Sequence, residues 1–325
     1  MIKTKFYLGI ASLALLGSIL TSCENDYENE LPSISAIAVA GADFSTLEAA
    51  AIQGGVAVTL SNNNPNDPLG KYTVFAPNNA AFAKLGLVDA GSLGGLQNSF
   101  LTNTLLYNVS NGTLTNSGIV AGGISPSALG PNRRFVLRGN DKYVNGSKII
   151  ATDIKASNGI VHVTDKVLIA TGVNIVASAQ LLQTAKVFKN PELTFLVQAV
   201  ITSGLAGVLS DPANNFTVFA PTDAAFKAAG LTTLAAVAAT PPATLQKILL
   251  NHAIGDGGKF TSEQMGTTAT TAGGGTLTYS TFSNGTFTIK SEGNTTVANM
   301  VIPDIQCSNG VVHIIDKVLM PIIIP

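Results

Sequence analysis

Residues 158–170 read NGIVHVTDKVLIA, and residues 309–321 read NGVVHIIDKVLMP. A line this specific, with a histidine, an aspartate and a lysine set among apolar residues, marks either a doubled active site or a doubled structural module. The copies match His162, Asp165 and Lys166 to His313, Asp316 and Lys317, and neither has a neighbouring cysteine, glutamate or second histidine to complete a metal-ligand set. Alternation puts Ile160, His162 and Thr164 on one face and Val161, Val163 and Asp165 on the other, so the segment reads as a strand buried in a sheet. Asn158-Gly159 reads as the tight turn entering it. On this reading both histidines are structural groups satisfied by local hydrogen bonds, and the Asp-Lys pairs are charges at the strand's solvent edge.

The repetition extends outward. LEAAAIQGGVAVTLS (47–61) parallels LVQAVITSGLAGVLS (196–210), and YTVFAPNNAAFAKLGL (72–87) parallels FTVFAPTDAAFKAAGL (216–231). Extra residues in SNNNPNDPLGK and in the Gly/Thr-rich stretch around 266–276 account for the unequal spacing. A chain of 325 residues exceeds what one core usually serves. The repeat predicts two homologous domains, 33–171 and 172–325, with the break near Thr171-Gly172. TVFAP reads as a strand stopped by proline. The residues after it read as a short helix, capped by Asn78 or Thr222, with Asp223 at the positive end and Gly86 or Gly230 in a left-handed stop. The terminal VLMPIIIP reads as a last core strand broken by Pro321, being far too short to span a membrane.

The first 22 residues form a secretory leader: Lys3 and Lys5, an apolar run from Phe6 to Leu20, then small residues before Cys23. LTSC resembles the bacterial lipobox, which implies lipidation of Cys23. The acidic ENDYENE (24–30), within a linker over 23–32, resembles the export signal of surface lipoproteins of Bacteroidota. Together they imply an outer-membrane protein held by lipid alone and facing the cell exterior. Cleavage removes two of the 18 Lys and Arg and none of the 19 Asp and Glu, leaving 16 against 19.

Such a balance, with basic residues clustered only at Arg133, Arg134 and Arg138, does not provide the basic face that nucleic-acid binding requires. The chain contains three histidines and no HExxH, GxSxG, GxxxxGK[ST] or CxxC pattern, so no catalytic residue, metal site or cofactor is assigned. Cys307 stands where the first copy has Ala156, which suits a packed thiol.

TVFAPTDAAF followed downstream by NGVVHIIDKVL resembles the two signature segments of the fasciclin (FAS1) domain, and both copies carry both segments. The resemblance implies an α+β fold, two tandem fasciclin-like domains, each a small β-sandwich or wedge with packed helices. It also implies an extracellular adhesion or interaction module that binds a protein or polysaccharide at the cell surface, with an accessory or spacer subunit as the alternative. The family's middle segment often holds an adjacent Tyr-His pair after two leucines. Here the copies read Leu105-Leu106-Tyr107-Asn108 and Leu249-Leu250-Asn251-His252, each keeping one half. Tyr107, Asn108, Asn251 and His252 are therefore the candidate interaction residues.

Overall fold

In each copy the two signature segments lie side by side as parallel strands, and the rest of the domain is arranged around that pair. The computed structural model describes residues 30–184, 192–264 and 266–322. The expected leader, Cys23 and all but the end of the acidic linker lie outside the described residues. Residues Leu31–Pro325 form one compact unit.

The first copy contains β1 (Tyr72–Pro77), β2 (Val109–Asn111), β3 (Ile124–Pro126), β4 (Asn132–Arg138), β5 (Asp141–Val144), β6 (Ser147–Ala156) and β7 (Gly159–Thr164). They join in the order β2-β1-β7-β6-β5-β4-β3. A short β8 (Ile169–Ala170) then crosses to the second copy, where β9 (Phe216–Pro221), β10 (Ala253–Ile254), β11 (Thr268–Thr270), β12 (Thr276–Tyr279), β13 (Ile289–Ser291), β14 (Met300–Cys307) and β15 (Gly310–Ile315) follow. These form one sheet ordered β10-β9-β15-β14-β8 and a separate sheet β11-β12-β13. The two-sheet division implied by the resemblance is thus seen in the second copy, while the first runs its strands together. The cause is local. Asn145-Gly146, both at positive φ, make a two-residue turn that hands β5 directly to β6, whereas residues 292–299 separate β13 from β14.

Helices α1 (Ile34–Ala40), α2 (Ser45–Gln53), α3 (Ala57–Ser61), α4 (Asn79–Ala83) and α5 (Asn98–Tyr107) belong to the first copy, and α6 (Ile175–Thr184), α7 (Thr194–Ser203), α8 (Ala206–Ser210), α9 (Asp223–Ala228), α10 (Leu234–Ala239) and α11 (Pro242–Leu250) to the second. Asn78 and Thr222 cap α4 and α9 by accepting the N–H of Ala81 and Ala225, and Gly86 and Gly230 take positive φ beyond them. Asp223 does more than face a helix end: it is buried and accepts the Phe195 N–H at 2.8 Å, as Asn79 accepts the Thr46 N–H at 3.0 Å.

The central pairing explains the duplicated line. β7 lies parallel to β1 and antiparallel to β6, and β15 lies likewise between β9 and β14. Covered on both faces, these strands are buried along nearly their whole length rather than alternating, and are apolar apart from His162, Thr164 and His313. Gly159 is required by the close approach of the neighbouring strand: a Cβ there would sit 2.1 Å from the Tyr72 carbonyl oxygen, and one on Gly310 would sit 2.2 Å from that of Phe216. Asn158 occupies the hairpin turn as expected, yet its side chain is buried. It accepts the Ile34 N–H at 2.9 Å and donates to the carbonyls of Leu60 and Asn62, fastening the start of α1 and the end of α3 to the sheet. Asn309 does the same with Ile175, Leu209 and Asp211.

Over its described residues, 318–322, the expected terminal strand is not formed. Val318 to Met320 run without ladder partners because Leu319 is held by side chains instead, its N–H by His252 and its carbonyl by Asn251. Among the described residues no single helix is long and apolar enough to cross a membrane.

Candidate interaction site

The quartet expected to meet a partner is buried. Tyr107, Asn108, Asn251 and His252 are each at most 3% exposed. Asn108, just past the end of α5, donates to the carbonyls of Thr104 and Leu168 at 2.7 and 3.0 Å and accepts the Leu168 N–H at 3.3 Å. His252, in the same place after α11, has Nδ1 at 2.8 Å from the Ile248 carbonyl, and its Nε2 accepts the Leu319 N–H at 2.8 Å. These partners assign the neutral Nδ1–H tautomer. Asn251 completes the clasp on the Leu319 carbonyl, at 2.8 Å. Tyr107 hydroxyl meets Asn145 and Asn132 inside the first copy. Asn108, Asn251 and His252 tie a helix end to the DKVL segment, Tyr107 ties the end of α5 to Asn132 and Asn145, and with their polar atoms consumed inside the domains the four offer no surface to a partner. The expectation that they form an interaction site is corrected accordingly.

His162 and His313 form a second device. β6 and β14 each carry a bulge against their hairpin partner, with Asp153 and Asp304 at positive φ within it. The N–H of Asp153 donates to His162 Nδ1 at 3.3 Å, and that of Asp304 to His313 Nδ1 at 3.0 Å. The opposite ring nitrogens lie 2.7 Å from the Leu114 carbonyl and 2.9 Å from the Lys259 carbonyl. The two carboxylates accept the N–H groups of Asn116 and Thr261, each opening a short 3-10 turn. Each histidine therefore pins a bulge to the loop that covers it. Burial pushes both imidazoles below their usual titration range, consistent with the neutral form that this bonding needs. Asp165 and Asp316 brace the hairpins, accepting the N–H groups of Lys148 and Asn299.

Lys166 departs from the expected solvent edge. Its side chain is only 13% exposed and meets Asp304 of the second copy, 6% exposed, at 2.8 Å. Asp304 is the bulge residue beneath His313, and its Oδ2 also accepts from the Thr261 hydroxyl at 2.8 Å. Around this pair the copies interlock. Arg134 pairs with Glu263 at 2.9 Å and covers the Phe260 ring, Arg138 covers the Phe282 ring and donates to the carbonyls of Ser262 and Gln264, and Tyr143 meets Phe282 edge-on. A Cβ on Gly146 would overlap the Asp304 carboxylate at 2.2 Å, so the turn glycine also admits the seam.

The basic cluster noted in the sequence thus has a use that composition does not reveal. Arg134 and Arg138 belong to the seam. Arg133, the next residue along the strand, points inward, fully buried, donating to the Tyr107 carbonyl at 2.7 Å and to Ser110 and Ser125 beneath the Phe75 ring. Strand alternation signals the division of Arg133 from Arg134 but not what either touches. Cys307 is buried, and burial pushes its thiol up to about 11, as suits an inert packed group. Among the described residues no group of three or more His, Cys, Asp and Glu is placed to hold a metal ion.

A Fasciclin domain signature matches residues 42–170 and again residues 191–321. Over 263 residues the chain is 30% identical to the transforming growth factor-beta-induced protein ig-h3 of Oryctolagus cuniculus, covering 78% of this chain and 35% of that protein. It is 27% identical over 271 residues to human periostin, covering 78% and 28%, and 33% identical over 138 residues to Protein sll1483 of Synechocystis, covering 42% and 73%. The chain thus spans about a third of the length of ig-h3. Among solved structures, a FAS1 domain pair from the insect cell adhesion molecule fasciclin I covers 85% of this chain and 95% of its own, at 18% identity and a TM-score of 0.38. With both signature segments of both copies inside the matched ranges, the chain belongs to the fasciclin domain family and carries two tandem copies of the domain.

Proposed function

We propose that this chain is a surface-tethered adhesion or interaction protein whose tandem fasciclin domains bind a protein or glycan partner outside the cell. The observation that carries the reading is the buried seam of Lys166, Asp304, Arg134 and Arg138. It fixes the separation and orientation of the two domains, so weak sites on each would act together at a high effective concentration. The polar residues singled out within the domains are consumed by internal bonds, which leaves the loops and the exposed sheet edge of each domain as the contact surfaces. The leader, the Cys23 lipobox and the acidic residues after it support tethering by lipid on the outer face of an outer membrane.

The test is binding of the soluble chain, residues 24–325, to an array of polysaccharides and extracellular-matrix proteins at two salt concentrations. Saturable binding to one class, weakened when the seam is loosened by Lys166→Ala, is expected. Silence across the array would overturn this reading and favour a spacer subunit that has no ligand of its own. The tether is tested separately by labelling cells with an alkyne fatty acid. Label is expected on the wild-type protein and absent from Cys23→Ala, and equal labelling of the two would refute lipidation at that residue.

A further inference from the structure

The two domains differ in one place that the repeat makes directly comparable. Between α1, α2, α3 and the sheet, the first domain encloses an open-mouthed cavity of about 220 Å³, lined by Ile34, Ile37, Leu47, Val56, Leu60 and Val161. The matching space in the second domain, between α6, α7, α8 and its sheet, measures about 40 Å³. Shared anchors set the correspondence: Asn158 holds Ile34 as Asn309 holds Ile175, and Asn79 holds Thr46 as Asp223 holds Phe195. Counting along the helices from those anchors, Ala51 stands where the second domain has Val200, Ser35 where it has Val176, and Glu48 where it has Val197. The second domain has filled the space with valines. The first has left it open and put its polar groups, Ser35, Ser61 and Glu48, along the lining.

We infer that the first domain's cavity binds a single-chain hydrocarbon amphiphile with an uncharged or cationic head. The volume exceeds the ~150 Å³ of an engineered apolar cavity that binds benzene, so a chain of roughly eight to ten carbons fits. The wall is apolar, aliphatic side chains with Phe44 and Phe75, and the amide of Asn108 in it is already bonded to Thr104 and Leu168, which excludes a sugar or a peptide backbone from its depth. The head is placed by the polar residues. The hydroxyls of Ser35 and Ser61 lie 2.7 Å apart in exposed positions, able to bond a hydroxyl or ammonium group. Glu48 also lines the cavity, half-buried, and its carboxylate disfavours a second carboxylate. Val39 and Ile52, more than 60% exposed, extend the apolar surface beyond the cavity.

The experiment is calorimetric titration of residues 24–325, which include the whole compact unit Leu31–Pro325, with octylamine, octanol and octanoate below their aggregation limits. The expected order of affinity is amine first, alcohol next and carboxylate weakest. Ala51→Val, which copies the second domain and so keeps the fold, is expected to weaken all three by about tenfold. Glu48→Gln is expected to remove the advantage of the amine while leaving the alcohol unchanged. If Glu48 served only the positive end of α2, its loss would lower stability without altering head preference, and the head assignment would be overturned. No saturable binding of any chain, or equal binding to wild type and Ala51→Val, would overturn the site itself.

Discussion

His252 gives the sharpest residue-scale consequence, because burial lowers its pKa from 6.5 to about 4. The folded state binds fewer protons than the unfolded chain between those values, so stability is complete above pH 6.5 and is lost as pH falls toward 4. That loss amounts to about 3 kcal/mol from this ring alone. His162 and His313 are shifted in the same direction, also by burial, and add to the same acid-side loss. Because Asn108 performs the equivalent clasp in the first domain without titrating, His252→Asn is expected to fold and to flatten part of the pH dependence between 6.5 and 4. Urea unfolding across that range measures it, and an unchanged slope would show that His252 is not held neutral by the fold. The family's Tyr-His pair drew attention to this position from sequence. Its burial was not legible there, because the partner, Leu319, lies 67 residues away.

At the scale of elements, the parallel contact of β1 with β7 depends on a glycine that sequence reads only as a turn residue. Gly159→Ala would press a methyl carbon into the Tyr72 carbonyl and is expected to cost about 3 kcal/mol. Asn158→Ala would leave the Ile34 N–H and two carbonyls without their partner and is expected to cost a similar amount, about 3 kcal/mol. Denaturant midpoints check both: a loss below about 1 kcal/mol for Gly159→Ala would show that the contact of β1 with β7 does not need glycine, and the same for Asn158→Ala that its side chain does not hold α1 and α3 to the sheet. Strand identity, helix caps and glycine stops were readable because they rest on neighbouring residues: Asn78 caps a turn three residues away. What was not readable was register. Nothing local announces that Phe75 lies opposite His162, or that a bulge at Asp153 turns an N–H toward that ring.

At the scale of the molecule, the repeat supplied both domains but not their union. The seam uses the structural bulge of the second domain as its receptor, since Asp304 both caps Thr261 and receives Lys166. The corresponding Asp153 of the first domain is exposed, and its 3-10 turn reads Asn116-Ser117-Gly118 where the second has Thr261-Ser262-Glu263. The acidic partner of Arg134 is therefore specific to the second domain. Lys166→Ala would leave Asp304 buried without its cation, at a cost of about 3 kcal/mol. An Asp-Lys pair at the end of a strand carries no mark of this in sequence, because the solvent it would face is displaced by residues roughly a hundred positions downstream.

Scanning calorimetry of residues 24–325, compared with Lys166→Ala, tests most directly whether the two domains act as one body. A single cooperative transition in the wild type, with calorimetric and van't Hoff enthalpies in agreement, separating into two in the variant, is the predicted result. Two independent transitions in the wild type, unmoved by Lys166→Ala, would contradict it.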